Sequence, residues 1–166
     1  MSRRMIRIAL PPIAAGAVVL LIGFLGALAG IPWLFASLGP SAVLQASMPM
    51  MRMSRPYNVA VGHLIALGTG FFAVYITGAV HAPPYTVLHP IVLTRVWAAG
   101  IAITLAVACE LAAKAQHAPA ASTSLLVALG IVTPSWRGAF VFVCGILLVT
   151  VLGEGVRRLS QSVRTT

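Results

Sequence analysis

The chain has 166 residues, of which 60% are hydrophobic and 8% charged. A soluble domain of that length has too little interior to hide so much apolar surface, so the composition excludes one and indicates an integral membrane protein. Two acids, Glu110 and Glu154, stand against eleven Lys and Arg, and a formal charge of +9 would suit nucleic acid. The basic residues, however, lie between apolar runs and at the termini, where membrane topology signals lie. No nucleic-acid partner is expected.

In chain order, a basic opening (MSRRMIR) precedes the first apolar run, Ile13 to Gly30. A cleaved signal peptide would look similar, but further spans follow, so this run is read as a retained first helix behind a cytoplasmic tail, 1–9. The stretch 31–48 is broken by Gly39-Pro40. Proline suits the first turn of a helix and disfavours its interior, which predicts a helix start near Pro40.

"MPMMRMS" (48–54) then offers four thioethers, Met48, Met50, Met51 and Met53, of the kind that bind Cu(I). Arg52 and Arg55 would repel a cation there and no cysteine or histidine completes the set, so neither a metal nor any other cofactor is expected.

The second long run, Val59 to Val80, is opened by Pro56, and "HAPPYTVLHP" (81–90) reads as an outer connector. A third long run covers Val96 to Ala113. A second short stretch, 117–133, predicts a helix start near Pro119 and ends before Pro134. The last long run is Gly138 to Val156, with 160–166 as a cytoplasmic tail. Each long run approaches the ~20 residues a helix needs to cross the hydrocarbon core. Cys109 and Cys144, in the middle of apolar runs, read as small buried hydrophobes. There is no CxxC, HExxH, P-loop or GxSxG motif and no carboxylate pair, so no enzyme is expected.

The expected fold is an all-α integral membrane protein of about six hydrophobic helical segments, four full spans plus two short, proline-broken ones. They form one transmembrane domain, 1–166, in two similar halves, about 10–80 and 92–159, each running long, short, long. Pro40 pairs with Pro119 in this scheme.

With six crossings and the N-terminus inside, nine basic residues are cytoplasmic and only Arg95 and Arg137 lie outside. Re-entrant short segments would give seven against four, so the positive-inside bias favours six crossings, with both termini cytoplasmic in a cell inner membrane. Trp33, Trp97 and Trp136 would then sit at the outer interface, and the halves would form an inverted repeat. Interrupted segments at matching places in two halves point to a transporter's binding site.

A broken helix persists in hydrocarbon only where it lines protein or a wet cavity. The free N–H groups at its start make an anion site. The helix starts at Pro40 and Pro119, with the hydroxyls of Ser41, Ser122, Thr123 and Ser124 and no acid in either stretch, therefore predict a small anion site. His63 and His117, histidines within membrane segments, are candidates to bind or carry a proton. Glu110, Lys114 and His117 fall at helical spacing, Glu110 and Lys114 as an i, i+4 ion pair. Glu154 is expected to pair with Arg157 and Arg158, and Arg95 and Arg137 to anchor helix ends.

Three motifs in this order resemble the HPP family of small membrane proteins: "GPSAVL" (39–44), "PYNVAVGH" (56–63) and "HAPAASTSLL" (117–126). The family has a proline–Asn–Gly–His stretch opening one span and a His-Pro-Pro-Ala motif with Gly, Ala and Thr behind it. The likeness runs from about Ile31 to Arg158. It departs where His-Pro-Pro reads His117-Ala118-Pro119, which keeps the helix start and loosens the approach to it.

The resemblance implies a helical membrane fold and, from members in photosynthetic organisms, nitrite transport. It makes Asn58, His63, His117 and Pro119 the family-typical positions, with Ser41 and Thr123 nearby. The expected function is a transporter or channel for a small inorganic anion, nitrite first, with protons as a possible co-substrate. A homodimer in the lipid bilayer is compatible with it. The alternative is a structural or accessory membrane subunit without transport activity.

Overall fold

Apolar residues run almost without interruption through four stretches, and each becomes a long helix because only intrasegment hydrogen bonds satisfy a backbone surrounded by hydrocarbon. The computed structural model describes residues 3–165. Among these are six α-helices: α1 (Arg3–Ala29), α2 (Leu38–Ser47), α3 (Pro56–Ile76), α4 (Leu93–Ala112), α5 (Ala121–Ala128) and α6 (Trp136–Thr165). No strand occurs among the described residues. Four helices are long and apolar enough to cross a membrane: Met5–Ala29, Pro56–Ile76, Leu93–Ala112 and Trp136–Arg164. The short helices begin where expected. Pro40 is the third residue of α2, and Pro119 lies in the 3-10 turn Ala118–Ala120 that leads into α5.

α1 differs from expectation. It starts before the apolar run and carries Pro11 and Pro12 in its interior. Each proline removes one backbone donor, a loss that transmembrane helices tolerate where neighbouring groups compensate. The described residues of both expected tails, 3–9 and 160–165, are helical, and Arg7 ties them, its guanidinium donating to the carbonyls of Val163 and Arg164 at 3.3 Å.

Contacts divide the chain into two compact units, residues 1–60 with 141–166, and residues 61–140. In the first, α2 lies against α1 in the opposite direction. Gly26 of α1 meets the backbone of Trp33, Gly23 meets Leu34, and Ala14 and Ala15 cluster with Ala46. Along α6 the direction is shared: Gly145 meets Trp33 and Leu38, Gly153 meets Gln45, and Arg157 donates to the Pro49 carbonyl. The core of this unit gathers Val18, Ile22, Leu38, Ala42, Val59 and Val149.

The second unit repeats the plan. α5 runs opposite to α4, with Glu110 beside His117, Ala106 beside Ala120, and Arg95 beside Ala128. It runs with α3, whose Gly62 meets His117 and whose Gly70 meets Val127.

A helix of 10 residues such as α2 spans only ~15 Å, half of a ~30 Å hydrocarbon core. The non-helical residues 32–35 before it supply further length, so the segment as a whole passes from the last turns of α1 to the level of its N-terminal half. It does not turn back to the end it left, as a re-entrant segment would.

One single-residue expectation fails. Cys109 is exposed and Cys144 half-buried, because each points away from its helix's packed face. Trp97 and Trp136 are 63% and 93% exposed, whereas Trp33 is half-buried and its indole nitrogen is enclosed. Packing of residues 31–38 against Gly26 and Gly145 draws that ring inward.

Candidate functional site

The site is built where α3 and α5 approach most closely. At Gly62 a Cβ would stand 2.8 Å from the Cβ of His117 and 3.1 Å from the Ala115 carbonyl, so only glycine lets the chain entering α5 come this near. Gly70, two turns on, does the same for Val127, at 2.8 Å. Between these contacts, His63 of α3 and Thr123 of α5 meet, with His63 Nδ1 2.7 Å from Thr123 Oγ1. The His117 ring stands edge-on to His63, centroids 5.0 Å apart. All three side chains are fully buried.

His117 caps the turn that starts α5, its backbone extended at φ −145°. Its amide N–H donates to Glu110 Oε2 at 2.9 Å. A carboxylate is thus seated on the positive end of the short helix, where the dipole favours negative charge. The short stretch itself carries no acid. Glu110 belongs to α4 and arrives through the fold.

The helical spacing of Glu110, Lys114 and His117 is likewise not realised. α4 ends at Ala112, and Lys114 has left-handed backbone at φ 55°, so the chain doubles back before His117.

The hydroxyls divide. Ser122 is only half-buried and donates to the Pro119 carbonyl at 2.6 Å, while buried Ser124 donates to Ala121 at 2.8 Å. Both satisfy their own helix. Pro119 is half-buried in the first turn. Among the expected residues, then, the second unit brings together His63, His117 and Thr123, with Pro119 fixing the turn beside them.

Ser41 and Asn58 lie in the first unit and are both buried. Ser41 donates to the Ser37 carbonyl at 3.3 Å. Pro40, the other expected helix start, is exposed.

Other charged groups hold the frame. Arg95 is buried, its guanidinium donating to the carbonyls of Ala82 (2.7 Å), Pro83 (2.7 Å) and Ala128 (2.8 Å). It closes the C-terminal end of α5, as an anchoring residue would. Glu154 pairs with Arg157 and Arg158 as expected. No group of His, Cys, Asp and Glu among the described residues could hold a metal ion.

Sequence reasoning missed Glu110's partner, because nothing local records that α4 and α5 fold together. It also missed Gly145 and Gly153, whose spacing of eight matches Gly62 and Gly70 and was available as a signal. Leu38 and Gln45 meet Gly145 and Gly153, and Ala120 and Val127 meet Gly62 and Gly70.

The order of the proline–Asn–Gly–His and His-x-Pro stretches, now seen with both histidines in one buried cluster, accords with a match between residues 2–165 and the family model described as HPP, transmembrane region. The chain belongs to the HPP family. It is a multi-pass membrane protein of that family, and the match covers both units. No curated protein and no solved structure matches the chain.

Proposed function

We propose that this HPP-family chain moves a small inorganic anion across the membrane, with nitrite as the first candidate. The observation that carries the reading is the cluster of His63, His117 and Thr123, fully buried at the start of a helix too short to cross by itself. Polar groups are expensive at membrane depth and mark solute pathways.

An imidazole N–H and a hydroxyl supply donors for an anion, and the turn at Pro119 adds the positive end of α5. Histidine can also take up a proton beside the anion. Ser41 and Asn58 supply buried polar groups near the starts of α2 and α3 in the other unit. Both termini facing the cytoplasm of an inner membrane belongs to the same reading, since it places the basic residues by the positive-inside rule. A non-catalytic role fits the family's implied transport.

One observation favours the rival, an accessory subunit that moves nothing. Glu110 already takes the His117 N–H, and Ser122 and Ser124 give their hydroxyl protons to helix carbonyls, so these donors of the second unit are spent within the protein.

Ligand-dependent stability separates the two. A ligand bound only by the folded state at 100 times its Kd stabilises by about 2.7 kcal/mol. In detergent, nitrite is expected to raise the Tm of the wild type, gluconate at equal ionic strength is not, and His63→Ala is expected to remove the difference. Equal Tm values in nitrite and gluconate for the wild type would support the accessory subunit.

A further inference from the structure

Five buried side-chain polar atoms among the described residues have no hydrogen-bond partner: Trp33 Nε1, Ser37 Oγ, Gln45 Oε1, Gln45 Nε2 and Ser160 Oγ. All belong to the first unit. They follow its two parallel elements in order. Trp33 and Ser37 lie at the entry to α2, level with Gly145 of α6. Ser37, Ser41 and Gln45, spaced by four, share one face of α2, and all are fully buried. Gln45 lies at the level of Gly153, and Ser160 is seven residues further along α6.

The amide of Gln45 lies flat over Gly153: a Cβ there would collide with its Oε1, Cδ and Nε2. The missing side chain of Gly153 is what gives the amide its room. In an apolar bundle such an amide, with neither atom partnered, forfeits its solvation unless something else supplies the partners. The second unit differs, since its buried Thr123, Ser124, Arg95 and Glu110 all have protein partners.

We propose that the face of α2 carrying Ser37, Ser41 and Gln45, packed along α6, is a binding path for small oxygen-bearing solutes, with Gln45 as its central contact. The unpartnered groups are mainly donors: an indole N–H, two hydroxyls and a carboxamide NH2. They suit the oxygens of a small oxyanion, and water completes the Gln45 carbonyl. The oxyanion assignment rests on the transport reading above. The path itself does not, because it follows from unpartnered atoms alone.

The test uses full-length protein in liposomes with Cys109→Ala and Cys144→Ala, to which Ser37→Cys is added, a fully buried position of the same face that leaves Gln45 in place. A second protein carries Val149→Cys, an equally buried apolar position of the same unit. A small hydrophilic methanethiosulfonate reacts with thiols that water reaches. The thiol of Ser37→Cys is expected to react at least tenfold faster than that of Val149→Cys, and sodium nitrite but not gluconate to slow it.

Equal rates at the two positions would overturn the path. Fast reaction with no protection by nitrite would overturn the oxyanion assignment. Labelling does not need flux, so a failure of the transport reading shows separately, as fast, nitrite-protected reaction in vesicles that nitrite does not enter.

Gln45→Leu gives a check on folding, since it removes two unpartnered atoms at similar volume. It is expected to keep or raise Tm while abolishing the nitrite protection of the Ser37→Cys thiol. A fall in Tm would show that protein groups satisfy the amide and would also overturn the proposal.

Discussion

Glu110 shows how one side chain decides the chemistry of a helix end. Its Oε2 accepts the first amide of the turn into α5, at 2.9 Å. Glu110→Gln keeps an acceptor oxygen and is expected to fold with a small loss. Glu110→Ala leaves the buried His117 N–H without a partner and should lower stability by about 1–3 kcal/mol, read as a drop in Tm in detergent.

Gly62 is the matching steric test. A methyl group there meets His117 Cβ at 2.8 Å, so Gly62→Ala must push α5 away from α3, and overpacking of this kind costs about 1–3 kcal/mol. Arg95→Lys keeps the charge but not the fork that reaches three carbonyls. Its Tm should fall below the wild type, and an unchanged Tm would show that the carbonyls find other partners.

The four long helices were legible from uninterrupted apolar runs of the length a bilayer demands, and Pro40 and Pro119 marked the short ones. Two features were not. The apolar run from Ile13 does not report that α1 begins at Arg3 and continues through Pro11 and Pro12. The reach of the short segments depends on non-helical residues that no periodicity reports. It has a direct consequence for accessibility. In the cysteine-free background, thiols from Pro32→Cys and Met50→Cys, before and after α2, are expected to be labelled from opposite sides of the membrane by an impermeant maleimide. Labelling of both from one side would make α2 re-entrant.

Across the whole chain, the sequence halves and the structural units are different divisions. Each unit joins a long–short pair from one half to a long helix of the other, which contact order along the sequence could not reveal. The histidines were recognisable as intramembrane polar residues, and His63, His117 and Thr123 do meet. Gln45 was passed over because a lone glutamine in an apolar run carries no signal until its partners can be sought in space. The central claim is that these buried polar groups serve the passage of a small anion. Its most direct measurement is nitrite entry into proteoliposomes, followed with a trapped nitrite-sensitive dye, for the wild type and His117→Ala against protein-free vesicles. The account predicts entry well above the empty vesicles for the wild type and a loss of at least tenfold in the variant. Wild-type entry equal to that of empty vesicles would contradict it.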